Sequence, residues 1–188
     1  NVLVAAVLGL KALGIYYFVF NAGIGLSLSL TTAMCSALFP HLADKNPSRP
    51  EMLARFDHAL VTAVLPVSAV IALQAVGSLI YVPFVFGARW HDTAPLVAIL
   101  CASAIARPVA DAGCQLLRAC RRTGQEFATT SISTFLYLGI FACALPAGLN
   151  VAIPVLALTA TLLQLGVAAS SRLSVGWSQQ PFKLIGIG

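Results

Sequence analysis

Charge is what this sequence has least of. Its 188 residues include only 6 Asp and Glu and 11 Lys and Arg, or 9%, against roughly a quarter in an ordinary soluble domain. With 59% of the residues hydrophobic, so few charges cannot clothe a globule in water, and a soluble fold is excluded. The vocabulary of catalysis is equally thin. There is no glycine-rich phosphate loop, no H-E-x-x-H and no G-x-S-x-G. The five cysteines, Cys35, Cys101, Cys114, Cys120 and Cys143, show no C-x-x-C or Cys/His ligand spacing, and read as small apolar filler. His41, His58 and His91 fall near different helix ends, with His91 on the opposite side from the other two. They make no single metal site. Neither an enzyme nor a metal or cofactor is expected, and the scattered basic residues give no support for nucleic-acid binding.

What the sequence has in quantity is uninterrupted apolar chain. No Asp, Glu, Lys or Arg occurs between Ala12 and Ala43, between Ala59 and Ala88, or between Phe127 and Ser171. Each run meets the length of about 20 residues that a helix needs to cross a bilayer. The expected fold class is therefore all-α, a polytopic transmembrane bundle of about five full spans after a truncated first helix. Residues 1–175 form the bundle and 176–188 a weakly patterned tail. The chain opens on Asn1 and enters apolar sequence without a basic leader or cleavage site, so it reads as part of a longer protein, without a signal peptide.

Punctuation residues place the spans. The first helix ends near Leu10, and Lys11 to Gly14 is a turn. A second helix runs from about Ile15 to Phe39, where Pro40 ends it, and Gly14, Gly23 and Gly25 suit close helix packing. The most polar stretch, Ala37 to Leu60, is a hairpin: Asn46-Pro47 turns the chain and Ser48-Arg-Pro-Glu51 is a capping box. A third helix then runs from Arg49 to about Tyr81, kinked at Pro66. Val82 to Asp92 is a loop whose Trp90, with Tyr81, suits the headgroup belt. Helices from about Thr93 to Leu117, Phe127 to Leu145 and Val151 to Leu173 complete the set.

Lys and Arg accumulate in cytoplasmic loops, and here they separate by side. Lys45, Arg49 and Arg55, then Arg118, Arg121 and Arg122, then Arg172 and Lys183 fall on one side, against Lys11 and Arg89 on the other. The loops at 40–50 and 118–126 and the C-terminal tail are thus expected in the cytoplasm, where the loop arginines set topology and touch anionic lipid.

One charged pair breaks the pattern. Arg107 lies roughly 20 Å along its helix from Thr93 at 1.5 Å per residue, and Asp111 follows one turn later, with Gln115 a turn beyond on the same face. Ionisable groups at membrane depth are costly and mark functional sites by default. Two readings stand: a substrate-binding face of Arg107, Asp111 and Gln115, or a local ion pair and snorkelling Arg beside a kink at Pro108. Gln74 and Gln164 are lone polar residues whose first expected role is hydrogen bonding between helices, with cavity lining second.

Four segments in order, LGIYYFVFNAG (13–23), ALFPHLAD (37–44), FVFGARWHDTAPLVAIL (84–100) and QLLRACRRTGQ (115–125), resemble the polysaccharide flippases of the multidrug, oligosaccharidyl-lipid and polysaccharide exporter superfamily. The matching positions are Gly14 and Tyr16; Phe39, Pro40 and Leu42; Phe86, Gly87 and Trp90; and Leu117, Ala119 and Arg121. The resemblance covers nearly all of the chain except the tail. It implies the C-terminal half of a bacterial inner-membrane transporter, whose missing half packs against it around a central, often cationic, cavity. Its implied partners are the lipid bilayer and a lipid-linked oligosaccharide, moved from the inner to the outer leaflet by alternating access in lipopolysaccharide or exopolysaccharide biosynthesis. The alternatives are a drug or other lipid exporter of the same superfamily, or a non-catalytic membrane scaffold.

Overall fold

The computed structural model describes residues 2–43 and 48–177. The expected turn at Asn46-Pro47, Lys45, and the tail from 178 onward lie outside the described residues. Among the described residues every regular element is helical, and five helices are long and apolar enough to cross a membrane: Val2–Ala43, Pro50–Phe86, Ala88–Ala119, Thr123–Ala147 and Leu149–Val175. The all-α, membrane-helical reading holds.

The first helix, α1 (Val2–Ala43), departs from expectation twice. Its break is at Gly9, with φ 83° and ψ 174°, a conformation open only to glycine; Lys11 to Gly14 is helical. Pro40 does not end α1, which runs on to Ala43.

The chain re-enters a helix at α2 (Arg49–Ala59), where the Ser48 N–H donates to the Glu51 carboxylate at 2.9 Å, as the capping box predicts. Leu60–Val64 is one wide π turn, closed by a bond from the Leu65 N–H to the Leu60 carbonyl, and α3 (Leu65–Phe86) follows. The distortion sits one turn before Pro66 because a proline ring presses on the carbonyl four residues back, here Thr62. The expected loop from Val82 is helical to Phe86, then a 3-10 turn spans Ala88–Thr93. Its Trp90 and the preceding Tyr81 both contact α1. Trp90 stacks on Phe18 of α1 at 3.9 Å between ring centroids, and the Tyr81 hydroxyl donates to the Ala22 carbonyl at 3.0 Å.

The expected single helix from Thr93 to Leu117 is two: α4 (Ala94–Ser103) and α5 (Arg107–Ala119). Pro108 is again the cause. The carbonyl four residues before it belongs to Ala104, and there the chain leaves the α path, bridging by tight bonds from Ala104 N to Cys101 O, Ile105 N to Ala102 O and Arg107 N to Ala104 O, at 3.0 to 3.2 Å. The last spans are α6 (Thr123–Ala144) and α7 (Leu149–Trp177), joined by a short 3-10 turn and Gly148 at φ 91°.

Packing is built on small residues and buried apolar clusters. A Cβ on Gly23 would meet Leu100 Cβ at 3.2 Å, and one on Gly113 would meet Ser171 Oγ at 2.3 Å, so α1 meets α4 and α5 meets α7 at backbone range. Gly14 and Gly25, expected to do the same, have open space around them. One apolar cluster gathers Leu38, Leu42, Phe56, Leu116 and Leu117, a second Val19, Val97, Leu100 and Ile153, and a third Val4, Tyr16, Phe141 and Leu156. The clusters leave α6 at the edge, with Phe127, Ile132 and Phe135 exposed.

Candidate functional site

Between α1, the α4–α5 break, α6 and α7 the bundle leaves a half-open cavity of about 400 Å³. Neither α2 nor α3 contributes to its wall. The apolar side comes from Ile24, Leu100, Leu156 and Leu163, and the polar side from Arg107, Asp111, Gln164 and the hydroxyl face of α6.

Arg107 reaches the cavity because of the break. It is the first residue of α5, and its N–H donates to the Ala104 carbonyl at 3.1 Å in the tight turn that joins α4 to α5. A guanidinium at this depth calls for a counter-charge. Asp111, one turn on, supplies part: Arg107 Nε lies 3.7 Å from Asp111 Oδ2, with the side chains 33% and 43% exposed. That spacing is longer than a charge-assisted hydrogen bond of about 2.7–2.9 Å. The guanidinium therefore keeps donors free, and the carboxylate keeps lone pairs free.

Arg107 and Asp111 both line the cavity. Gln115 does not; it lies beside Cys35 of α1, nearer the end of the bundle that carries most of the arginines. Gln164 takes the role ranked second for it, as a cavity-lining residue, and its Oε1 is shielded from solvent without a hydrogen-bond partner. Gln74 takes the role ranked first. Its Nε2 donates to the Ala22 and Gly23 carbonyls at 3.2 and 3.3 Å, and its Oε1 accepts from Ser27 Oγ at 3.3 Å.

The sequence reading missed Tyr16, Tyr137 and the row Thr130, Ser133 and Thr134, all of which line the cavity. The available signal was spacing: 130, 133, 134 and 137 fall on one stripe of a helix, while the exposed Ile132 and Phe135 lie on the other face. Tyr16 packs against Phe141 at 5.7 Å and Phe20 at 6.0 Å between ring centroids, which holds α1 against α6.

Outside the cavity, the arginine-rich end is laced by polar contacts. Arg118 donates from Nε to both oxygens of Glu126 at 2.8 and 2.9 Å, Arg172 pairs with Asp57, and Arg122 donates to the Ser174 carbonyl at 2.7 Å. These ties join α5 to α6, α2 to α7, and the α5–α6 turn to α7. Among the described residues, no group of three His, Cys, Asp or Glu side chains is placed to hold a metal ion.

The chain is similar to the lipopolysaccharide biosynthesis protein WzxC of Escherichia coli (strain K12), with 26% identity over 139 residues, covering 73% of this chain and 28% of that protein. It thus spans well under a third of the length of the curated relative it matches. No family model and no solved structure matches the chain.

Proposed function

We propose that this chain is part of a flippase of the bacterial inner membrane that exports a lipid-linked oligosaccharide for cell-surface polysaccharide. The observation that carries the reading is Arg107, a guanidinium with free donors in a cavity inside a bundle of membrane-length helices. The likeness to a lipopolysaccharide biosynthesis protein supports it. A lipid diphosphate must carry its negative charge past hydrocarbon, and a planar, fork-shaped donor set matches its oxygens better than an ammonium would. Asp111 holds the guanidinium when the cavity is empty, and an incoming anion replaces that long contact. The rest of the transporter packs against this bundle and completes the wall of the cavity. The arginine-rich end faces the cytoplasm, as the bias of basic residues requires.

The test uses Arg107→Ala and Arg107→Lys in the chromosomal gene, with surface polysaccharide and membrane abundance measured together. The expected result is loss of at least about tenfold in polymer for Arg107→Ala at normal abundance, the scale of one lost charge-assisted contact, with partial recovery in Arg107→Lys. Normal export in both variants would sink the reading.

A further inference from the structure

The hydroxyl face of α6 is only partly used within the bundle, where Thr130 lies against Cys114 of α5. Hydroxyls on a helix at the edge of a membrane bundle meet a partner helix or a polar ligand, and Thr130, Ser133 and Thr134 also border the cavity. Thr134 gives its proton to the Thr130 carbonyl at 2.8 Å, which leaves its oxygen as an acceptor. Across the cavity stand Asp111, whose only ion pair among the described residues is the long contact with Arg107, and Gln164, whose Oε1 lacks a donor. A shielded amide oxygen without a donor is rare in folded proteins, because it loses its bond to water and gains none. The wall therefore presents acceptors that a ligand bearing several O–H or N–H groups would satisfy.

Depth sets this strip apart from the anion site. Arg107 acts electrostatically on Tyr137, which also lines the cavity. Thr130 lies seven residues before Tyr137 on α6, about 10 Å along the helix axis at 1.5 Å per residue. That is enough for one or two sugar rings beyond a bound diphosphate.

We propose that Thr130, Ser133 and Thr134, with Asp111 facing them, form a subsite for the hydroxyl groups of a sugar joined to the anion held at Arg107. This rests on the flippase reading for the identity of the polyol; a phosphatidylglycerol headgroup presents similar chemistry, with hydroxyls beside a phosphate. Asp111 accepts from neighbouring hydroxyls with both oxygens, and the α6 hydroxyls turn to donate or accept as each sugar position requires.

The experiment measures binding to the full chain in lipid nanodiscs of two probes, a polyprenyl diphosphate and the same lipid diphosphate carrying one glucose. The triple variant Thr130→Val, Ser133→Ala, Thr134→Val changes shape little and removes the hydroxyls. It is expected to weaken the glucose-bearing probe about tenfold or more, while the bare probe stays within about twofold. Arg107→Ala is expected to weaken both. If the triple variant binds both probes as the wild type does, or weakens both equally, the subsite is overturned while the anion site stands. If phosphatidylglycerol displaces the glucose probe from the wild type and phosphatidylethanolamine does not, the strip holds a lipid headgroup and the sugar assignment is overturned. If the wild type binds neither probe, the flippase reading falls and the subsite falls with it.

Discussion

Single residues in this bundle act mainly through distance between backbones. Gly113 is the clearest case, since any side chain there must displace Ser171 on α7. Gly113→Val is expected to destabilise the bundle by about 1–3 kcal/mol, the usual range for overpacking a filled site. A fluorescence thermal-unfolding assay in detergent would read this as a lowered midpoint. Ser171→Gly should by itself cost about 0.5–1 kcal/mol, as a glycine inside a helix does, and should add less than that in a Gly113→Ala background because it removes the clash; full additivity would mean that Ser171 is not the obstacle. Gln74 is a second case of residue-scale effect. It ties α3 to two carbonyls of α1, and interhelical polar contacts of this kind average about 0.6 kcal/mol and reach about 1.7 kcal/mol in membrane bundles. Gln74→Leu should therefore cost no more than that in the same assay, and a much larger loss would place Gln74 in a function other than tying helices.

At the scale of elements, two prolines coincide with a distortion upstream of themselves, while Pro83 and Pro154 lie inside α3 and α7 without one. Pro66 is preceded by the π turn at Leu60–Val64 and Pro108 by the break at Ala104–Ala106. Pro40 lies inside α1, which runs on to Ala43. The break before Pro108 makes Arg107 the first residue of a helix rather than one in the middle of a span. Pro108→Ala restores the missing donor to the Ala104 carbonyl, and α4 and α5 are expected to straighten toward one helix. Spin labels at Asp92→Cys and Arg121→Cys in a background lacking the native cysteines should then separate further, and polysaccharide export should fall at unchanged abundance. An unchanged label distance would show that packing by α7, rather than Pro108, sets the bend.

For the whole molecule, the outstanding physical quantity is orientation. The turn at Leu145–Gly148 carries no charge, whereas the Arg118–Gln125 segment carries three arginines and no acidic residue. If the arginine-rich end is cytoplasmic, then in intact spheroplasts a membrane-impermeant maleimide should label Asn150→Cys, again without native cysteines, and label Gln125→Cys only after permeabilisation. The reverse pattern would invert the bundle and the proposed direction of export with it. The contacts that lace the arginine-rich end also modify the expectation from charge alone. Arg118 and Arg172 are held by Glu126 and Asp57, so fewer cations remain to attract anionic lipid than the sequence suggests.

Hydropathy by itself determined that this is an all-helical membrane bundle and where its spans lie to within a few residues, because a bilayer demands unbroken apolar length and internally satisfied backbone bonds. It also singled out Arg107 and Asp111, since charge inside such runs is rare and conspicuous. Only tertiary structure decided which face each polar residue presents. Gln74 and Gln164 look alike in sequence, yet one ties α3 to α1 and the other opens on a cavity, because that depends on which helix stands opposite. The same holds for Gly23 against Gly25, and for Gln115, which shares a helix stripe with Asp111 but turns to α1. The α6 hydroxyls were legible as a stripe, but not as the wall of a cavity, because a cavity exists only when several helices fail to close together around the same space.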